Sequence, residues 1–126
     1  MAQGDIYSID VRLRNDPNYS NSPQTVSIVN DSIVLSAIIS LSIESMSGGS
    51  DEYCELKLLN SNGEFMHRLF YRSGETGGKW ELHELPIMKK LLLNAGEQLQ
   101  FTAYANRGSG YSDSTYLNAK ITLMEV

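Results

Sequence analysis

The chain has 126 residues and a formal net charge of −5 at pH 7. This length fits one domain with a self-sufficient hydrophobic core, so we expect residues 1–126 to form a single domain. The excess of acidic residues argues against a nucleic-acid partner, because binding to phosphates needs clustered Lys and Arg side chains that release counterions.

The amino-terminal segment Met1–Asp5 does not have the order of a secretory signal, in which basic residues precede an apolar stretch and a small-residue cleavage site. No apolar run in the sequence reaches the length needed to cross a membrane. We therefore expect a soluble chain without a signal peptide and without a membrane partner.

Alternating apolar and polar residues predict a first strand at Ile6–Leu13, with one face buried and the other wet. A loop rich in Asn, Ser and Pro follows at Arg14–Pro23. A short strand is predicted at Thr25–Val29. The adjacent Asn30 and Asp31 then predict a tight reversal into the next strand.

The strand predicted at Ile33–Ile43 is the one around which we expect the others to be organised. Its side chains separate by parity into two faces, as they do when successive residues point to opposite sides of a sheet. The even-numbered residues, Val34 and Ile38 among them, are predicted to point away from the core. The buried face is predicted to consist of Ile33, Leu35, Ala37, Ile39, Leu41 and Ile43.

The alternation resumes at Glu52–Leu59 with Cys54 inside, so the only cysteine is predicted to be a core residue and not a reactive thiol. Asn60–Gly63 is the strongest hairpin signal, because Asn and Gly tolerate the positive φ that tight turns require. The partner strand, Glu64–Tyr71, carries apolar residues on both faces. It is predicted either to be buried on both faces or to meet another subunit with one of them.

Strand-like alternation continues at Trp80–Leu85 and in the closing segment Tyr116–Val126. Lys89–Leu93 could begin a helix, but a turn at Asn94–Glu97 is predicted to join this segment to Leu99–Ala105 in a hairpin. The count is about eight strands with turn signals at intervals of roughly ten residues, a pattern typical of sandwiches and jelly rolls. The predicted fold is all-β: a two-sheet antiparallel β-sandwich that is jelly-roll-like.

Residues that could support catalysis are few and dispersed. His67 and His83 do not have a spacing that holds a metal ion, and the sequence contains no nucleophile elbow or phosphate-binding loop. Asp16 and Asp113 lie in polar loops, where weak calcium binding competes with the simpler interpretation that both are solvated turn acids. We therefore predict no catalytic residue, no metal site and no cofactor.

Apolar and aromatic residues on faces that should be wet are the strongest functional signal. Such residues mark interfaces or ligand grooves when they cluster, and carry no meaning when they are scattered. Because clustering depends on strand order, a subunit interface, half-covered sheet positions and a sugar-stacking platform all remain open. The candidate interface residues are Val34, Ile38, Tyr53, Trp80, Tyr104, Tyr116 and Met124.

The carboxy-terminal part of the chain resembles a known group of proteins. Leu91–Phe101, with the sequence LLLNAGEQLQF, and Ser114–Leu123, with the sequence STYLNAKITL, resemble the last three strands of trimeric jelly rolls of the tumour-necrosis-factor and complement-C1q type. The same ending is found in small phage virion proteins, such as capsid cement proteins and fibre heads. The resemblance implies a homotrimer with apolar and aromatic threefold contacts, and a structural role on a virus particle.

We therefore expect a non-enzymatic virion structural protein, in particular a phage capsid cement or decoration protein on the outer capsid surface. Its expected partners are further copies of itself, in a homotrimer, and a capsid or other virion protein. The alternative from a different class is a carbohydrate- or receptor-binding β-sandwich module, fibre-head or lectin-like, in which aromatic faces stack on sugars. A hydrolase or metal enzyme on the same frame has little support in the sequence.

Overall fold

The computed structural model describes residues 4–45, 51–106 and 113–126. These ranges contain ten β-strands and one short 3-10 helix, Pro86–Met88. The strands are β1 (Ile6–Asp16), β2 (Tyr19–Ser20), β3 (Gln24–Ser27), β4 (Ser32–Glu44), β5 (Tyr53–Leu59), β6 (Phe65–Ser73), β7 (Glu81–Glu84), β8 (Leu92–Leu93), β9 (Gln98–Tyr104) and β10 (Ser114–Glu125).

The strands form two antiparallel sheets. The first has the order β2-β1-β10-β4-β7, with β8 also paired to β4, and the second has the order β3-β9-β5-β6. When the two-residue strands β2 and β8 are left aside, eight strands remain. The outermost two in the chain pair with each other, and so do the next two at each step inward: β1 with β10, β3 with β9, β4 with β7 and β5 with β6. This nested pairing is that of one long hairpin rolled into two sheets, which is the jelly roll. The predicted fold class is confirmed.

The core lies between the two sheets and is built from the inward residues of each strand. Period-two alternation supplies these residues, because every second side chain of a strand points to the same face. Cys54 is among them, as predicted, and is fully buried. The largest buried apolar side chains are Ile39, Leu41, Ile43, Leu56, Met88, Leu93, Leu99, Phe101, Leu117, Ile121 and Leu123.

A β-bulge near the start of β4 reverses the predicted orientation of three residues. β4 and β10 pair along their length, but Leu35 has no partner on β10. The extra residue turns Val34 into the core, where it is 1% exposed, and leaves Ile33 and Leu35 partly exposed. The prediction that Val34 points away from the core was therefore wrong, as was the burial predicted for Ile33 and Leu35.

Turn signals identified where the chain reverses, but only one of the three predicted reversals joins neighbouring strands. The hairpin at Asn60–Gly63 is confirmed, since it connects the paired strands β5 and β6, and Gly63 has a φ of +80°. Asn30 and Asp31 instead lead from β3 in the second sheet to β4 in the first. The hairpin predicted at Asn94–Glu97 was wrong, because β8 pairs with β4 whereas β9 lies in the second sheet.

Strand β6 is an open edge of the second sheet. Leu69 and Met66 have no partner on β5, so the edge is irregular, and Phe65 is exposed. Burial on both faces, one of the two alternatives for this strand, was therefore wrong. Within the described ranges, no helix is long and apolar enough to cross a membrane.

Candidate interaction surfaces

The seven candidate interface residues are distributed over two outer faces and the core. Val34 is buried in the core and is therefore not an interface residue. Ile38, Tyr116 and Met124 are partly exposed on the first sheet, with Trp80 in the segment before β7. The remaining two, Tyr53 and Tyr104, lie on the second sheet, so the sequence-predicted set does not form one surface.

Three tyrosines form a row across the second sheet, which we call the tyrosine row: Tyr104 on β9, Tyr53 on β5 and Tyr71 on β6. The ring of Tyr53 lies 5.2 Å from that of Tyr104 and 5.5 Å from that of Tyr71, measured between centroids, and both pairs are stacked. Tyr71 and Tyr104 are 44% and 40% exposed. Stacked rings on neighbouring strands cover each other's faces, so the row presents mainly ring edges and hydroxyl groups outward.

A charged network holds one end of the tyrosine row in place. The Glu55 carboxylate, which is buried, accepts a hydrogen bond of 2.7 Å from Arg68 Nε and lies 3.7 Å from Lys57 Nζ. The Arg68 guanidinium in turn lies 4.4 Å from the centroid of the Tyr71 ring. Burial and the nearby Glu55 carboxylate raise the pKa of Tyr53 above 10.0, which keeps its hydroxyl available as a hydrogen-bond donor.

Four apolar residues form a second row on the outer face of the first sheet. Ile6 pairs with Met124, Met124 with Ile33 and Ile33 with Leu92, and directly opposed residues of antiparallel strands share a face. We call this set the apolar row; its end members Ile6 and Leu92 are 64% and 50% exposed. The neighbouring row on the same outer face, two residues closer to the middle of the sheet, consists of the uncharged residues Ser8, Thr122 and Ser36.

The opposite end of the first sheet carries an aromatic corner. The rings of Trp80 and Tyr116 lie 6.4 Å apart and are tilted to each other. The Tyr116 hydroxyl donates a hydrogen bond of 3.2 Å to Asp16 Oδ2, which ties the corner to the end of β1. Trp80 is 55% exposed, so the corner offers a large rigid side chain to solvent.

Ile38 stands apart from the apolar row. Its register neighbours are Lys120 on β10 and Glu84 on β7. An open depression of about 280 Å³ surrounds it, lined by side chains that include Asp10, Arg12 and Asn118. Ile38 is therefore a half-covered sheet position among charges of both signs.

The two histidines of the chain lie apart from each other on these faces. His67 is exposed on β6, whereas the His83 ring contacts Phe70 at 5.1 Å between centroids and its Nε2 lies 3.1 Å from Glu81 Oε1. Across residues 4–45, 51–106 and 113–126, no three His, Cys, Asp or Glu side chains group to hold a metal ion. The interpretation of Asp16 and Asp113 as solvated turn acids was wrong, because both are buried.

Sequence reasoning missed the members of both rows that depend on strand order. The sequence analysis treated Tyr71 as one of the apolar residues of its strand and did not predict that it stacks on Tyr53. Ile33 was assigned to the core, and Ile6 and Leu92 were read only as strand residues. Nothing local marks these residues as neighbours, because each row joins three or four separate strands.

Comparison with known proteins identifies no family. No family model matches the chain, and no curated protein matches it. Among solved structures, the chain is similar to one from infectious bursal disease virus strain Gx, with 13% identity and a TM-score of 0.42 over 98% of this chain and 33% of that chain. It is also similar to one from Desmodium yellow mottle tymovirus, with 8% identity and a TM-score of 0.37 over 99% of this chain and 90% of that chain.

A third similar structure is the infectious bursal disease virus VP2 subviral particle, with 13% identity and a TM-score of 0.39 over 96% of this chain and 32% of that chain. The chain thus spans about a third of the length of the bursal disease virus chains that it matches. Since these similarities are low, the assignment of a jelly roll rests on the chain's own strand order.

Proposed function

We propose that this chain is a non-enzymatic virion structural protein, and in particular a decoration protein that binds the outside of a phage capsid as a homotrimer. The observation that carries the proposal is the tyrosine row, an ordered set of contact groups on an exposed sheet face. Large rigid side chains of this kind dominate the energetics of protein interfaces. The resemblance of the last strands to small phage virion proteins supports the narrower assignment.

The two rows suit two different contacts. The apolar row and the row beside it consist of uncharged residues, so contact between two copies there does not press charged side chains of these rows against each other. The tyrosine row combines hydroxyl donors with the exposed Arg68. We assign the first surface to contacts between copies and the second to a virion partner with hydrogen-bond acceptors on its surface.

The overall acidity of the chain is compatible with a position outside the capsid shell. Packaged nucleic acid repels an acidic surface, and favourable contact with it requires clustered basic residues. The basic residues of the first sheet's face are interspersed with acids, since Lys120 pairs with Asp10 in the strand register. We therefore place the protein on the outer surface and not against the genome.

A binding experiment tests the virion role. Capsids assembled from the capsid protein encoded in the same genome are sedimented with increasing amounts of the chain. We expect saturable co-sedimentation, and at least a tenfold weaker affinity for the double variant Tyr53→Ser/Tyr104→Ser, because truncating hot-spot aromatics costs roughly 2 kcal/mol or more. Thr25→Ala, at an exposed outer position of β3 in the same sheet, is the matched control and should bind normally.

The carbohydrate-binding alternative predicts a different result. A sugar ring stacks on an open aromatic face, but Tyr53 is stacked between two rings and Tyr71 contacts both Tyr53 and Arg68, so the row does not offer a continuous open platform. A glycan array should therefore give no specific binding. Specific glycan binding together with absence of co-sedimentation would contradict the proposed role and favour the lectin-like one.

A further inference from the structure

The outer face of the first sheet has a depression of about 280 Å³ where β1, β10 and β4 run side by side. Its floor is the sheet itself, since Val11 and Ala119 at this place are buried in the core. The outward side chains that line it come from two neighbouring rows of the strand register: Asp10, Lys120 and Ile38 in one, and Arg12, Asn118 and Ser40 in the other.

The two positively charged side chains of this depression have no partner. Neither Arg12 nor Lys120 forms an ion pair or a side-chain hydrogen bond in the part of the chain that the structure describes. The other arginines of that part, Arg14, Arg68 and Arg72, each form an ion pair with a carboxylate at 2.5–2.9 Å. Arg12 thus differs from them in having an available guanidinium group.

The acidic residue in the lining does not neutralise these charges. Asp10 is opposite Lys120 in the register, yet the two side chains do not form an ion pair. Asp10 Oδ2 instead accepts a hydrogen bond of 2.8 Å from Ser8 Oγ, on the side away from Arg12. Glu84, the next acid along this row, lies beyond Ile38 on β7. The depression therefore keeps a local excess of positive charge.

The donors of the second row suit a carboxylate. The Arg12 guanidinium, the Asn118 amide and the Ser40 hydroxyl lie next to one another on three strands. A guanidinium offers two parallel N–H groups to the two oxygens of a carboxylate, and the Lys120 ammonium adds a second positive charge. Ile38 supplies an apolar wall for the methylene groups of an Asp or Glu side chain.

The open shape of the depression indicates what kind of molecule carries the carboxylate. Arg12 and Lys120 are exposed, and an ion pair at an exposed position contributes little by itself, so a small free acid gains too few contacts. A segment of a protein also contacts the surrounding face, where Leu82, opposite Ser40, is 70% exposed. Because the chain has a net charge of −5, an acidic segment is repelled except where positive charge is in local excess.

We propose that this depression binds an Asp or Glu side chain on an acidic segment of a partner protein, and that Arg12 and Lys120 hold its carboxylate. The depression lies on the opposite sheet from the tyrosine row, and two rows along the strands from the apolar row. The proposal does not depend on the virion role, because binding of an acidic peptide and binding to capsids are separate measurements.

The test uses the ¹⁵N-labelled full chain and two synthetic peptides blocked at both ends, tetraglutamate and tetraglutamine, at pH 7 and about 20 mM NaCl. Tetraglutamate should cause saturable shifts of backbone amide resonances, largest at residues 10–12, 38–40 and 118–120. Tetraglutamine should cause none. Raising NaCl to about 500 mM should abolish the shifts, because salt screens exposed charges.

Single-charge variants should change the affinity for tetraglutamate in opposite directions. Arg12→Gln and Lys120→Gln should each bind it roughly threefold to fivefold more weakly, and Asp10→Asn roughly twofold more tightly. Lys79→Gln and Asp51→Asn make the same changes of charge at exposed positions outside the depression. These matched controls should bind like the wild type.

Three results would overturn the proposal. The first is the absence of shifts in the wild type at millimolar tetraglutamate, which decides even if a variant does not fold. The second is equal weakening by Lys79→Gln and Arg12→Gln, because binding then follows the overall charge. The third is tighter binding of inorganic phosphate or acetate than of tetraglutamate at the same amides, because the ligand is then a small anion and not a protein segment.

Discussion

Asp16 shows how one carboxylate can organise the end of a strand. It accepts hydrogen bonds from the backbone N–H groups of Asn18 and Tyr19, from Arg14 Nε and from the Tyr116 hydroxyl. The hydrogen bond from Arg14 is the main reason why the pKa of Asp16 falls from 3.8 to about 2. A carboxyl whose pKa is lower in the folded state stabilises the fold above its unfolded pKa, and this stability is lost as the pH falls through the folded value.

Replacement of Asp16 by Asn should therefore have a pH-dependent cost. We expect Asp16→Asn to lower the free energy of unfolding by about 1–3 kcal/mol at neutral pH. The difference from wild type should shrink as the pH falls from about 4 to about 2. Urea denaturation across this range measures it, with Asp10→Asn, at an exposed position, as the control. A difference that stays constant down to pH 2 would show that the charge of Asp16 is not what stabilises the turn.

Cys54 is a residue whose environment decides its reactivity. It is fully buried, and burial raises the pKa of its thiol from 9.0 to about 12, so the reactive thiolate is scarce at neutral pH. We expect the native protein to resist a thiol reagent such as DTNB and to react with it fully once unfolded in guanidinium. Rapid labelling of the native protein would contradict this placement of Cys54.

At the scale of elements, the bulge in β4 determines which residues the strand contributes to the core. Val34 is buried and Leu35 is partly exposed, the reverse of what strict alternation predicts. Val34→Ala should therefore lower the free energy of unfolding by about 1–3 kcal/mol, because it leaves a cavity in the core. Leu35→Ala should cost less although it removes more atoms. Thermal or urea unfolding of both variants measures these changes. A larger decrease in the free energy of unfolding for Leu35→Ala than for Val34→Ala would contradict the prediction, because it would place Leu35 in the core.

The same strand shows why the sequence predicts elements better than it predicts their partners. Alternation from Ala37 to Ile43 is a local property, and the structure buries the residues that it indicates. The bulge at Leu35 depends on the pairing with β10, more than seventy residues away in the chain. For the same reason a turn signal such as Asn94–Glu97 indicates a reversal, but not whether the next strand stays in the same sheet.

At the scale of the whole molecule, strand order converts scattered residues into surfaces. Tyr53 and Tyr104 were identified from the sequence as exposed aromatics, and the register of β5 and β9 places them directly opposite each other. Tyr71 joins them only because β6 lies on the other side of β5. The exposed character of single residues was therefore predictable, whereas the grouping of residues from several strands was not.

The apolar row gives the final prediction, which concerns assembly. If copies of the chain associate through this row, light scattering should give three times the monomer mass of 14.0 kDa, and Leu92→Ser should shift the protein towards monomer. The reason is that a buried leucine contributes roughly 1.5–3 kcal/mol at each contact, whereas a serine in its place contributes little. Tyr104→Ser is the control, because the tyrosine row lies on the other sheet and should not affect the mass. If the trimer persists in Leu92→Ser but dissociates in Tyr104→Ser, the copies associate through the tyrosine row and not through the apolar row. If the wild type is a monomer, the chain does not associate with itself in solution.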